Sequence, residues 1–183
     1  MEDDPGNPAE NSTKMIGTLV DGFRYIGERT DSQHVYFGKV FSLILFIEHK
    51  INQILIYYEP SIKEKMLGEK ISIYKKFIKE LERIEPDHHV DFGFDFTKYE
   101  KSKQALAEVN MIRRQYAHAV KFSYIKRESI RNICDFNRTE RIDLWENVQN
   151  TDTEDLYIIA QLHLFCFCFS HATTELINAQ KRP

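Results

Sequence analysis

The helical spacing of apolar residues is the feature that most limits how this chain can fold. In residues 33–58, apolar side chains recur at three- and four-residue steps and cover most of the helix surface, up to a stop at Pro60. The same spacing marks residues 15–29, 69–85, 98–119, 129–135, 138–148 and 152–180. Ser/Thr-x-x-Glu patterns that can cap a helix begin at Ser61, Thr97 and Thr151. We therefore predict an all-α fold, an up-and-down helical bundle of about five main helices with shorter ones between them.

The predicted helix 33–58 is unusually apolar, since six of the seven residues from 41 to 47 are apolar. Such a helix needs cover on most of its surface, either from several neighbouring helices or from a second subunit. Glu48 follows this run directly. Its carboxylate is either an ordinary solvated group or an acid turned toward a functional site on another helix.

Residues 86–96 depart from helical spacing because apolar and polar side chains alternate there. Alternation fits a short strand, or an extended loop that packs its aromatic rings on the helices. No second strand of similar strength occurs in the sequence, so we predict a loop.

Length and composition indicate one domain. The chain has 183 residues, the size of one ordinary domain. Residues 1–14 are acidic and poor in apolar side chains, so we predict a disordered tail there and a single helical domain at 15–183. The net charge of −3 gives no general attraction to polyanions.

The cysteines and apolar runs bear on where the protein resides. The three cysteines show no disulfide-framework spacing, and no signal-peptide pattern is present. The longest apolar run, residues 157–169, is interrupted by Gln161 and His163 and is too short to cross a bilayer. We expect a buried helix there, and a cytoplasmic protein with no membrane partner.

Two clusters contain residue types that bind zinc. One is Asp87, His88, His89 and Asp91, and the other is His163, Cys166, Cys168 and His171. The first cluster matches no zinc spacing, and Cys166 and Cys168 would lie about 200° apart on a helix. No P-loop, dinucleotide-binding glycine pattern, H-E-x-x-H or G-x-S-x-G occurs in the sequence. We predict no metal and no cofactor.

Two arginines and a histidine occupy the end of the predicted helix 98–119. Arg114 and His118 are four residues apart and share a helix face, whereas Arg113 lies about 140° from His118. Helix geometry therefore favours Arg114 as the partner of His118. The long Arg113 side chain can also cover the gap at a fraying helix end, so both pairings stay open.

Residues 113–141 are locally basic, with eight Lys or Arg against three Asp or Glu. The basic residues are Arg113, Arg114, Lys121, Lys126, Arg127, Arg131, Arg138 and Arg141. Such a region suits a phosphate-bearing ligand. The alternative is a solvated surface of mixed charge.

The helix end resembles the R-x(4–6)-H motif of HEPN domains, the higher eukaryotes and prokaryotes nucleotide-binding superfamily. The residues that match its R-N-x-x-A-H-like form are Arg113, Tyr116, Ala117 and His118. The segment is also similar to the R-N-x-F-A-H stretch of the mannitol-operon repressor family, where a loop and a short helix follow, here residues 122–136. Arg114 stands where asparagine is usual, and Val120 where some toxin members have tyrosine. The order of elements is similar over residues 33–178.

The resemblance implies a HEPN-like, metal-independent endoribonuclease of a toxin or defence system, acting as a homodimer whose two motifs line one cleft. His118 would act as general acid/base and Arg113 would hold the phosphate, with Arg114 as helper or substitute. Glu48 would orient either group. The implied partners are RNA and a cognate antitoxin or regulatory protein, and the products would carry 2′,3′-cyclic phosphate and 5′-hydroxyl ends.

The competing hypothesis is a non-catalytic helical regulator or adaptor, similar to the mannitol-operon repressor family. In such a protein the same residues cap their helix or contact nucleic acid or protein. A metal-dependent helical enzyme is a third possibility, and it predicts loss of activity in EDTA.

Overall fold

The computed structural model describes residues 31–84, 96–118, 125–151 and 153–180. These residues contain two short 3-10 helices, Ile62–Glu64 and Arg127–Ile130, and no strand. Their α-helices are α1 (Asp31–Leu55), α2 (Leu67–Ile84), α3 (Phe96–His118), α4 (Arg131–Glu140), α5 (Ile142–Gln149) and α6 (Glu154–Gln180). The predicted all-α bundle is confirmed.

The four long helices lie close to their predicted bounds. Segments 33–58, 69–85, 98–119 and 152–180 correspond to α1, α2, α3 and α6. Segments 129–135 and 138–148 correspond to α4 and α5, but the break falls at Arg141 and not after residue 135. The predicted tail 1–14, the predicted helix 15–29 and the alternating segment up to residue 95 lie outside the described residues.

The predicted capping box at Ser61 does not form. Ser61 donates its hydroxyl to the Glu59 carboxylate, and only the 3-10 helix Ile62–Glu64 begins there. Glu69 caps α2 instead, because its carboxylate accepts the Met66 N–H at 2.9 Å. In a capping box, a glutamate of the first helical turn accepts the N–H of the residue that precedes the helix, and Glu69 makes this bond. The Glu69 carboxylate also places a negative charge at the positive end of the helix dipole.

The long helices enclose the core in a ring. α1 packs against α6 and α2, α2 against α3, α3 against α4, and α4 against α6, while the short α5 packs on α4 and α6. α2 and α3 run antiparallel, since the Tyr74 and Ser102 hydroxyls are 2.9 Å apart and Gly68 lies beside Asn110. α3 also contacts α1, through Tyr116 near its end.

One stripe of α1 supplies much of the core. Its buried members are Val40, Ile44, Ile47, Ile51 and Ile54, each at most 1% exposed. Burying each of these aliphatic side chains contributes about 2 kcal/mol relative to leaving it in water. Leu45 and Phe46 stay 62% and 42% exposed. In the described part of the chain, neighbouring helices therefore cover one side of α1 and not most of its surface.

A side chain of α3 caps the N-terminus of α4. The Glu108 carboxylate accepts the backbone N–H groups of Asn132 and Ile133, both at 2.9 Å, and the Asn132 side-chain amide at 2.6 Å. Burial raises the pKa of this half-buried carboxyl even though three N–H groups donate to it. The residue that precedes α4 provides no side-chain cap of its own, so Glu108 joins α3 to α4.

We expect Glu108→Ala to lower the free energy of unfolding by about 2 kcal/mol, because it removes the acceptor of three N–H groups at a helix end. Urea unfolding followed by circular dichroism measures the change. Glu146 of α5 provides a matched control, since it is an exposed glutamate within a helix, and Glu146→Ala should change stability by less than about 0.5 kcal/mol. Equal losses in the two variants would contradict the capping role.

Candidate functional site

The last turns of α3 present arginines beside a buried face. Ile112 and Tyr116 are buried, Arg113 is half-buried and Arg114 is exposed. His118 is the final residue of α3, one turn beyond Arg114, and its side chain lies outside what the structure describes. The helix thus brings Arg113, Arg114 and the backbone of His118 to one end of the bundle.

The Tyr116 hydroxyl fixes this helix end in place. It lies 2.9 Å from the Tyr36 hydroxyl of α1 and accepts the Ile125 N–H at 3.2 Å. The Tyr116 ring also contacts Phe37, with ring centroids 4.6 Å apart. One side chain therefore joins the end of α3, the first turns of α1 and the point where the described chain resumes. Helical periodicity indicated a core tyrosine here, but it carried no information about these partners.

The guanidinium groups of Arg113 and Arg114 form no ion pair or hydrogen bond with any residue of the described ranges. Other arginines of the basic region differ. Arg127 donates its N–H and Nε to Glu154, at 2.6 and 3.2 Å, and its guanidinium lies 4.1 Å from the Tyr157 ring centroid. These contacts occupy Arg127 within the fold.

Two further basic residues are also engaged locally. The Arg138 guanidinium lies 5.3 Å from the Trp145 ring centroid. Arg141 donates Nε and Nη2 to Asp143 at 2.9 and 2.7 Å, and this hydrogen bonding lowers the pKa of Asp143 to about 2. The basic region therefore offers fewer uncommitted cations than its composition indicates.

The structure does not bring Glu48 to the end of α3 within this chain. The Glu48 carboxylate lies 2.6 Å from the Lys70 ammonium, whose side chain is 3% exposed. Lys70 also lies 3.5 Å from the Lys63 carbonyl oxygen. Glu48 is twelve residues beyond Tyr36, the contact of Tyr116, which is about 18 Å along α1. Glu48 therefore joins α1 to α2 and is not a neighbour of Arg113.

The histidine and cysteine pattern of α6 does not converge on one point. Cys166 and Cys168 are buried, as the sequence indicated, whereas His163 and His171 are exposed. Burial raises the pKa of both thiols to about 12. Among the described residues, no group of three or more His, Cys, Asp or Glu is arranged to hold a metal ion. The cluster at residues 87–91 lies outside these residues.

α6 has a partly exposed outer side that the sequence does not predict, since the run 157–169 predicts a buried helix. A groove of about 430 Å³ separates α1 from α6, and one of about 720 Å³ separates α5 from α6. Phe167 lines both grooves and is 50% exposed, and Phe46 lines the first. The sequence signal for this surface is Leu156 and Phe167, two large apolar residues on the side of α6 opposite its buried stripe.

The apolarity of α6 also bears on membranes. Residues Glu154–Asn178 are long and apolar enough to cross a bilayer by length and composition, although the run 157–169 alone is too short. An 18-residue window of this stretch has a mean hydropathy of 1.4, and 61% of that window is buried within the protein, as in the core helix of a globular domain.

The end of α3 and the outer surface of α6 are thus the two features with a chemical interpretation. No family model, curated protein or solved structure matches the chain.

We expect Tyr116→Phe to lower the free energy of unfolding by about 1–3 kcal/mol, because the buried Ile125 N–H loses its acceptor and the Tyr36 hydroxyl loses a partner. Urea unfolding measures the loss. Tyr57→Phe is the control, since Tyr57 is 79% exposed. A loss no larger than that of the control would show that the Tyr116 hydroxyl does not hold the helix end.

We expect Glu48→Gln to destabilise the fold by about 2 kcal/mol or more, because the buried Lys70 ammonium loses its counter-charge. The double variant Glu48→Leu with Lys70→Met removes both charges and should lose less than Glu48→Gln alone. Thermal or urea unfolding of the three proteins measures the difference. A double variant that is less stable than Glu48→Gln would argue against a structural ion pair.

Proposed function

We propose that the chain is a HEPN-like, metal-independent endoribonuclease whose site is the end of α3. The observation that carries the proposal is the pair of guanidinium groups on Arg113 and Arg114, which form no ion pair or hydrogen bond in the described ranges. Three other arginines of the same basic region are engaged. A cation that pairs with no carboxylate of the described residues, held on an anchored helix end, is suited to an anionic ligand.

The chemistry of such a site is transesterification. The 2′-oxygen of RNA attacks phosphorus and the bond to the 5′-oxygen breaks. His118 takes the proton from the 2′-hydroxyl or gives one to the leaving 5′-oxygen, since imidazole titrates near neutral pH. Arg113 holds the non-bridging phosphate oxygens as charge grows on them, with Arg114 as helper or substitute. Glu48 is left out of this proposed site because it pairs with Lys70.

Lys126 and Arg131 extend the proposed substrate path. Both are exposed, and neither forms an ion pair or hydrogen bond through its charged group in the described ranges. Lys126 directly follows Ile125, whose N–H reaches Tyr116 at the end of α3. Phosphates on either side of the cleaved bond would meet these side chains.

The proposal includes a homodimer in which the ends of two α3 helices line one cleft, as the resemblance implies. Exposed residues of α3 such as Gln104 and Arg114 would then lie near the mate. A cognate antitoxin or regulatory protein that covers this cleft belongs to the same proposal, as does action in a toxin or defence system in the cytoplasm.

A non-catalytic regulator or adaptor is the second candidate. The grooves on either side of α6 favour it, because exposed aromatic side chains such as Phe46 and Phe167 are typical of protein-binding surfaces. In this candidate the α3 arginines contact nucleic acid without cleaving it.

Incubation with 5′-labelled RNA in EDTA tests the proposal. We expect cleavage that leaves 2′,3′-cyclic phosphate ends, and we expect Arg113→Ala and His118→Ala to lower the rate by about 100-fold or more. Arg83→Ala is the matched control, since Arg83 is another exposed arginine in the last turn of a helix, and it should cleave as the parent does. Comparison of Arg113→Ala with Arg114→Ala decides which arginine acts.

Two outcomes would refute the assignment. Variants at Arg113 and His118 that cleave RNA as fast as the parent would place any activity elsewhere. RNA binding without cleavage by the parent would favour the regulator or adaptor.

A further inference from the structure

The outward side of α6 carries a regular stripe of uncharged residues. Its members are Leu156, Ala160, His163, Phe167, Ser170 and Thr174. Leu156 and Phe167 are each 50% exposed, and the other four are exposed or half-buried. The steps between members are four, three, four, three and four residues. This is the spacing by which one helix packs side chains into the gaps of another.

The flanks of the α6 stripe are apolar as well. The groove toward α1 is lined by Leu43 and Phe46, and the groove toward α5 by Leu144 and Val148. Phe167 stands between the two grooves. A helix laid along the stripe would therefore meet apolar side chains on both sides.

We propose that a second copy of this chain packs its own α6 antiparallel on the α6 stripe, about a twofold axis near residue 165. In that arrangement Leu156 opposes Thr174, Ala160 opposes Ser170, and His163 opposes Phe167 of the other copy. The small side chains of Ala160 and Ser170 let the two backbones approach closely, and the rings of His163 and Phe167 fill the layer nearest the axis.

Charge and area both suit a second copy. The stripe itself contains no Asp, Glu, Lys or Arg. The nearest cation is Arg141, whose guanidinium lies 5.5 Å from the Phe167 ring centroid, and Asp143 pairs with it, so a twofold pairing brings two neutralised ion pairs near the axis and no bare like charges. From Leu156 to Thr174 the stripe is about 27 Å long, and with its flanks it is about 20 Å wide. Pairing would bury roughly 550 Å² on each copy and about 1,100 Å² in total, just above what a specific interface needs.

This contact is separate from the proposed ribonuclease site. α3 packs mainly on α2 and α4, whereas α6 packs on α1, α4 and α5, so the stripe and the α3 arginines lie on different helices. If α3 also pairs, the assembly exceeds two chains.

The mass in solution gives the first test. We expect light scattering after gel filtration to give at least two chains for the parent and half that mass for Phe167→Asp, with an unchanged circular dichroism spectrum. Tyr57→Asp is the matched control, since it places a charge on another exposed aromatic residue away from α6, and it should keep the parent mass.

Disulfide formation between two chains tests the antiparallel pairing of α6 directly. Ala160→Cys with Ser170→Cys in one chain should give a covalent dimer under mild oxidation, because each new thiol meets the other in its mate. Within one chain the two positions are about 15 Å apart along the helix, too far for a disulfide. Each single variant should stay unlinked. The native cysteines are buried or half-buried, so they should not react.

Several outcomes would overturn the proposal. A parent mass of one chain excludes self-association. If, in addition, the parent sediments with phosphatidylcholine vesicles and Phe167→Asp does not, the stripe is a membrane contact and not a dimer interface. A covalent dimer of Ala160→Cys alone would show a parallel pairing. Neither test uses RNA, so failure of the ribonuclease proposal is seen separately.

Discussion

Burial of one stripe of α3 is the constraint on which the arrangement of the candidate site depends. Once Val109 and Ile112 are buried in the core and Tyr116 is buried against α1, the 3.6-residue period leaves Arg114 at the surface and Arg113 at its margin. The Tyr116 hydroxyl then fixes how far the helix end can move. The positions of the arginines thus follow from apolar packing, and their availability follows from the lack of an acidic neighbour in the described residues.

The long helices could be predicted because the spacing of apolar residues within each segment is enough to indicate a helix. Contacts between residues far apart in sequence could not. Glu108 caps a helix that begins 23 residues later, and Glu48 meets Lys70 across 22 residues. The sequence could not show whether the Glu48 carboxylate is solvated or belongs to a functional site, because the answer depends on which cation the fold places beside Glu48.

The basic region shows the same limit for charge. Composition counts every Lys and Arg, but a phosphate can bind only those that the fold leaves uncommitted. Glu154, 27 residues beyond Arg127, and Asp143, two residues beyond Arg141, each occupy one guanidinium. The number of basic residues in a segment therefore overstates its capacity to bind anions wherever carboxylates, near or far in sequence, already pair with those residues.

Composition misleads in a different way for α6, because a helix that is apolar on both sides reads as fully buried or as a membrane span. The two sides are distinguishable once the core side is known: Phe165 and Phe169 are enclosed, and Phe167 between them in sequence is not. Packing in the core accounts for the apolar residues on the inner side of α6, but it does not account for Phe167 on the outer side. The outer stripe of α6 and the arginines at the end of α3 lie on different helices, so the partner proposed for one does not determine the partner proposed for the other.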